Sequence, residues 1–315
     1  MKKIVLFTLI LGINYCFGQI QKETLVYATK EGKELKLDKY TDDSQKTTTK
    51  RPVMIYVHGG GFSMGSSKNA LQIKYNKHFA AQGFVSISLN YRFGIPVGLP
   101  FDRDKLNKAA ILSTEDLIDA TAYVISKAKE WNIDTEKIII SGGSAGAITC
   151  LNAEYAICSE STISKRLPQG FNYAGLISHA GNIITEQDTL IWKNKPCPML
   201  LMHGTIDDLL SINFIKQSGT LHAGSNYIHK QLSQMNVSHW FYEEIGADHI
   251  VALKPLQHNF GEIDTFIDRF VMKKVQSIVY THWQDKTPGS MAKMSEIVPL
   301  YMTGWEKTDD EVEKK

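Results

Sequence analysis

Cysteine is scarce in this chain, four in 315 residues, and that excludes a small domain held together by a disulfide framework. No charge of one sign dominates. Lys and Arg number 35 against 33 Asp and Glu, and the bases are dispersed rather than gathered into a stripe, so no nucleic-acid partner is expected. Long apolar runs are missing too. The run at residues 4–13 falls short of the roughly 20 residues that cross a bilayer, so no membrane span is expected. No internal repeat is visible. The remaining composition, 43% hydrophobic and 22% charged, is that of a globular chain long enough to bury one large core.

The first residues read as an export signal. Lys2-Lys3 form a basic start, residues 4–13 an apolar middle, and Asn14-Tyr15-Cys16-Phe17-Gly18 a cleavage region. Residues 1–18 are therefore set aside as a signal peptide, and a secreted or periplasmic protein is expected. A lipoprotein anchored through Cys16 is disfavoured, because Tyr15 puts a ring where a small residue is wanted. Removing this segment takes away two lysines and no acid, which leaves a nearly neutral chain. Cys150, Cys158 and Cys197 remain, an odd number. If one helix carries Cys150 and Cys158, they lie about 12 Å apart, too far to bridge. Inert buried thiols are expected, with a disulfide involving Cys197 as the lesser alternative.

Glycine marks the centre of the chain. Gly142-Gly143-Ser144-Ala145-Gly146 follows a buried-strand run at 137–140 and precedes a run of small helix-forming residues from 147. A serine with glycine two residues away on each side, between strand and helix, has the form of a nucleophile elbow. The missing Cβ atoms let strand and helix pass closely while the serine takes a strained conformation. A second glycine cluster, His58-Gly59-Gly60-Gly61-Phe62, ends the apolar strand at 52–57. Its amides are free of intervening side chains and could converge on an anion.

The rest of the chain alternates strand and helix. Two alternating runs within 23–40 form an expected edge hairpin. Strands are expected at 84–89, 173–178, 198–203 and 240–245, and helices at 68–82, 113–129, 225–235 and 261–275. Residues 94–106, rich in Gly and Pro, are expected as loop. This pattern predicts an α/β fold: a mostly parallel, twisted sheet covered by helices on both faces, with an antiparallel hairpin at its N-terminal edge. A single domain is expected over residues 19–305, and residues 306–315 form a charged tail.

In order, these motifs resemble the α/β-hydrolase superfamily, and more narrowly its HGGG-type secreted bacterial esterases, including carbohydrate acetyl and feruloyl esterases. The resemblance covers roughly residues 50–270. It implies Ser144 as nucleophile and the amides of Gly60, Gly61 and Ala145 as the oxyanion hole, with His58 structural. His203-Gly204-Thr205-Ile206-Asp207 matches the family's H-G-T-x-D, which makes Asp207 the acid and leaves Asp208 as the weaker rival. Six histidines follow: His222, His229, His239, His249, His258 and His282. Only His249 stands in a glycine-containing loop between a predicted strand and the next helix, in Gly246-Ala247-Asp248-His249, and the family's G-x-x-H fits it.

Gly143 stands where many lipases of this group carry Asp, and Ala147 where a second glycine is frequent. The short connection between Ser178 and Pro198 implies that the large lid is absent, giving an open, shallow site. The activity implied is acyl-enzyme hydrolysis of small-molecule or carbohydrate esters without metal or cofactor. The rivals are a peptidase of the prolyl-oligopeptidase type and a catalytically silent binding protein. Tyr91, Phe93, Phe101, Trp192 and Trp240 are candidate pocket aromatics, each weighed against a core role.

Overall fold

The computed structural model describes residues 20–45, 48–96, 103–217 and 219–284. The expected signal peptide, the charged tail and Phe101 lie outside them. Nine strands form the main sheet: β1 (Ile20–Lys30), β2 (Lys33–Asp42), β3 (Arg51–Val57), β4 (Val85–Leu89), β5 (Ile133–Gly143), β6 (Gly175–His179), β8 (Met199–Gly204), β11 (His239–Glu244) and β12 (Ile278–Trp283). Their order is β1-β2-β4-β3-β5-β6-β8-β11-β12. Pairing is antiparallel for β1–β2 and β2–β4 and parallel elsewhere. The expected edge hairpin and mostly parallel sheet are both present.

The central strands are buried on both faces because their alternate side chains serve two cores. Val53, Ile55, Val57, Ile138 and Ile140 join one cluster. It is covered by helices α2 (Arg103–Ser126), α3 (Ala145–Cys158) and α4 (Ser225–Gln234). Met54, Tyr56, Ile139, Ile177 and Met202 join the other. Helices α1 (Ala70–Ala81), α5 (Pro255–His258) and α6 (Phe260–Phe266) lie over it, the last running into a π-helical turn at Ile267–Met272. Each fully buried aliphatic chain contributes about 1.5–3 kcal/mol, so runs apolar on both faces have no stable exposed alternative. Asn69 starts α1, its side chain accepting from Leu71 N at 3.0 Å.

The β1–β2 hairpin is fastened to this body by polar groups. Tyr27 donates to Asn90 O at 2.9 Å. Buried Asp116 accepts from Lys30 at 2.8 Å and from the Arg92 backbone and guanidinium at 2.8–3.0 Å. Two exposed pairs would contribute little, whereas a buried carboxylate with this many donors fixes the turn after β4.

Three features depart from the sequence reading. Helix α2 begins at Arg103, not near residue 113, because Ala110, Ala109 and Leu106 carry its buried stripe back to the end of the loop expected at 94–106. Strand β12 adds a parallel edge beyond the expected last strand. A second, three-stranded antiparallel sheet stands outside the main one. It is built from β7 (Asn182–Thr185), β9 (Phe214–Gln217) and β10 (Thr220–Gly224), in the order β7-β10-β9. The excursion therefore lies mainly after β8, not in the β6–β8 connection. Among the described residues, no helix is long and apolar enough to cross a membrane.

Candidate active site

Ser144 sits between β5 and α3 with φ 53° and ψ −122°, a conformation that side chains rarely adopt. The neighbouring glycines explain why it is tolerated. A Cβ on Gly146 would lie 2.0 Å from Val57 O, and one on Gly142 would lie 2.4 Å from Gly146 C. Strand, turn and helix pass at distances only glycine allows. The Ser144 amide donates to His179 O at 2.9 Å, and Ile148 N donates to Ser144 O at 2.9 Å. The turn is thus tied to β6 on one side and to its own helix on the other.

The acid and the histidine arrive on two adjoining loops. Thr205 N donates to Glu244 O at 3.0 Å, Ile206 N to Ala247 O at 3.1 Å, and Gly246 N to Thr205 Oγ1 at 2.7 Å. Asp207 Oδ1 accepts from Leu209 N and Leu210 N at 3.0 and 2.8 Å, leaving Oδ2 for His249. His249 Nδ1 lies 2.7 Å from that oxygen and so carries the proton it donates. Its Nε2 is then an acceptor, 2.8 Å from Ser144 Oγ. Asp248 holds the start of the 3-10 turn His249–Ala252, accepting from Ile250 N at 2.9 Å. The three side chains, 105 and 42 positions apart in the two contacts, form one continuous hydrogen-bonded relay.

Electrostatics favour a charged acid at its end. Burial alone would raise the Asp207 carboxyl, but hydrogen bonds from His203 and His249 outweigh it and hold the group well below the usual carboxylate range. His203 has no role assigned in the sequence reading, although it stands in the quoted H-G-T-x-D segment. Its Nε2 faces Leu210 O at 2.8 Å and Asp207 Oδ2 at 3.3 Å. Its Nδ1 accepts from Ser225 Oγ at 2.8 Å. The ring is fully buried and braces the oxygen that His249 uses. Asp208, by contrast, is exposed and takes no part in the relay.

The glycine-rich segment after β3 abuts the elbow. A Cβ on Gly59 would lie 3.3 Å from Ser144 Cβ and 2.9 Å from Gly143 O. Gly60 and Gly61 have φ of 114° and 61°, and Gly60 O caps a turn by accepting from Ser63 N and Met64 N, both at 3.1 Å. Among the described residues, the amides of Gly60, Gly61 and Ala145 donate to no loop or turn carbonyl. His58 is structural, as the resemblance implies. Its Nδ1 donates to Gly59 O at 2.7 Å and its ring stacks on Tyr91 at 4.5 Å. Burial lowers its pKa to about 4 and keeps it neutral.

The remaining candidates lie elsewhere. His222 is buried in β10, His229 and His239 bond each other at 2.7 Å, His258 ends α5, and His282 pairs with Glu243. Tyr91 donates to His58 O at 2.8 Å and Trp240 to Thr281 Oγ1 at 2.9 Å, so both serve packing. Trp192 sits edge-on to Tyr155, while Phe93 is 44% exposed beside His58. Cys150, Cys158 and Cys197 are free and buried. Glu154 accepts from the Cys158 thiol and from Cys197 N.

Comparison with known proteins adds fold and kinship to this geometry. A family model described as BD-FAE matches residues 37–156. Among curated proteins, the juvenile hormone esterase of Heliothis virescens is 30% identical over 135 residues, 43% of this chain and 22% of that protein. The secreted triacylglycerol lipase LIP1 of Gibberella zeae is 29% identical over 112 residues, 34% of this chain and 18% of that protein. The chain thus spans about a fifth of the length of these two relatives. Among solved structures, esterase 2 of Thermogutta terrifontis phosphorylated by paraoxon superposes with a TM-score of 0.58 at 20% identity, covering 81% of this chain and 94% of that one. MGS-M1, an α/β hydrolase enzyme from a Medee basin deep-sea metagenome library, gives 0.53 at 21% identity, over 82% and 98%. The fold is that of the α/β hydrolases.

Proposed function

We propose that this α/β-hydrolase chain is a serine carboxylic-ester hydrolase that works through an acyl-enzyme on short or aromatic acyl esters of carbohydrates. One observation carries the reading: the unbroken relay from Ser144 Oγ through His249 to Asp207 at 2.8 and 2.7 Å. Ser144 Oγ attacks the ester carbonyl carbon as its proton passes to His249 Nε2. Ionised Asp207 fixes the Nδ1–H tautomer and stabilises the imidazolium that forms. The oxyanion is received by the amides of Gly60, Gly61 and Ala145, where losing one donor costs about 10²–10³ in rate. His249 then protonates the departing alcohol oxygen, and the ester bond breaks to leave an acyl-serine. Water, deprotonated by His249, attacks this ester, and the bond from the acyl carbon to Ser144 Oγ breaks as His249 returns the proton to that oxygen and the acid is released.

Support for a carbohydrate carrier comes from the short β6–β8 connection, which leaves no large insertion there to enclose a buried lipid chain. The basic and apolar start of the chain supports work outside the cytoplasm. The test is fluorophosphonate labelling together with hydrolysis of p-nitrophenyl acetate. The intact chain is expected to label and turn over, and Ser144→Ala to do neither while keeping its fold. Turnover retained in Ser144→Ala would remove the assignment.

A further inference from the structure

A cavity of about 620 Å3 lies between α2, α3 and the small sheet, away from the relay. It borders the later half of α3, at Asn152, Tyr155, Ala156 and Ser159. At 1.5 Å per residue, Asn152 alone is about 12 Å along the helix from Ser144. The volume falls within the ~300–1,000 Å3 of small-molecule sites. Nothing in the relay uses this space.

Its lining combines three properties. The inner wall is apolar in part, through Ala110, Tyr155, Ala156 and Ile184, and Ile111 and Ile191 border it while staying 57% and 46% exposed. Large apolar side chains left open beside a cavity mark a place where something is received. Hydrogen-bonding capacity is also unclaimed. Asn107 gives its Nδ2 to Thr220 Oγ1 at 3.2 Å, but its buried Oδ1 has no partner. The Tyr155 hydroxyl accepts from Ile191 N at 3.1 Å and keeps its own proton to give. The side chains of Ser161, Thr162 and Gln187 have no partner among the described residues. Charge disfavours anions, because Glu186 lines the space, Glu115 beside it pairs with Arg92 at 3.1 Å, and the lining lysine, Lys193, already pairs with Glu160 at 3.4 Å.

An uncharged sugar ring has the complementary pattern, with hydroxyls around its rim and C–H groups on its faces. We propose that this cavity is a carbohydrate-binding site separate from the catalytic serine, holding sugar units of the ester's carrier while another part of it is presented to Ser144. The proposal rests on the functional reading only in taking that carrier to be a saccharide. Its consequence is a division of labour: acyl chemistry at the head of α3, grip on the polymer farther down the same helix.

The test is ligand-observed NMR and calorimetric titration of the full chain carrying Ser144→Ala, with methyl β-xylopyranoside and cellobiose as probes and sodium acetate as the charged control. Saturable binding of at least one glycoside, without binding of acetate, is expected. Thr162→Trp, placed at the exposed rim, and Asn107→Leu, within the wall, should each weaken that binding by about tenfold or more. In the background with Ser144 intact, Thr162→Trp should leave p-nitrophenyl acetate turnover unchanged, which guards against misfolding. Absence of glycoside binding to the folded parent, or binding that neither variant weakens, would overturn the proposal. Loss of p-nitrophenyl acetate hydrolysis in the wild type is a separate readout that bears on the esterase reading alone.

Discussion

The two halves of the proposed active site are held in place by different physics. On the Ser144 side the backbone does the positioning. Ser144 keeps a positive φ because Gly142 and Gly146 let strand and helix close to distances no Cβ survives. On the acid–base side the side chains do it. Asp207 is clasped by two amides and two imidazoles, and Asp248 holds the turn that carries His249. The first half is part of the core and should fail together with the fold. The second half is a polar framework laid on a finished fold and should fail alone.

That contrast can be broken at either end. The largest effect is expected for Asp207→Asn, with kcat/KM lower by about 10³–10⁴ because the imidazole loses its oriented tautomer. Its melting temperature should stay close to wild type, and Asp208→Asn should be nearly normal in both respects. An Asp208 variant as damaged as Asp207→Asn would reassign the acid. Gly146→Val should act oppositely. With its Cβ site 2.0 Å from Val57 O, the packing of α3 on β3 must open, at a cost on the order of 3 kcal/mol or more of stability read by urea unfolding. Wild-type stability in that variant would show that the elbow has slack.

Acid sensitivity sharpens the comparison further. His58 and His179 are fully buried, and burial lowers their pKa values to about 4 and about 3 from the ordinary 6.5. The unfolded chain therefore binds more protons than the native one once the pH drops below about 6.5, and stability falls with pH until the buried rings themselves titrate. Between pH 7 and 5.5 the two together should remove roughly 2–3 kcal/mol, measured by urea midpoints. A flat profile over that interval would contradict the burial of both rings. The smallest effect is expected from His203→Gln. Loss of the second brace on Asp207 should lower kcat about five- to tenfold with KM little changed, a cost on the order of 1 kcal/mol. An unchanged kcat would make His203 a packing residue only.

How much of this was legible in the sequence follows the same division. Met199–Gly204 announces itself because its residues are apolar on both faces, and Val85–Leu89 because branched apolar residues alternate with serines. Ser144 stands out because glycine spacing records a steric demand of the backbone. Asp207 and His249 were reachable through motif and loop context, although nothing local shows that the two loops zip together through Thr205, Ile206 and Gly246. His203 belongs to the motif, but its contact with Asp207 depends on Leu210 and Ser225 folding around it and leaves no local trace in the sequence. Strands β7, β9 and β10 are only four or five residues long and draw their stability from one another and from α3. Too little periodicity survives at that length to distinguish them from loop. The early start of α2 was hidden by the Gly- and Pro-rich residues before it.

The β9–β10 hairpin leaves the main sheet only after Leu209 and Leu210 have secured the carboxylate. The chain returns from it through Ser225, whose hydroxyl holds His203, so both roots of the hairpin belong to the framework around the carboxylate. Its outer part can be lengthened, trimmed or grafted from a related chain while those roots stay fixed, so substrate reach can diversify without moving the groups that pass the proton.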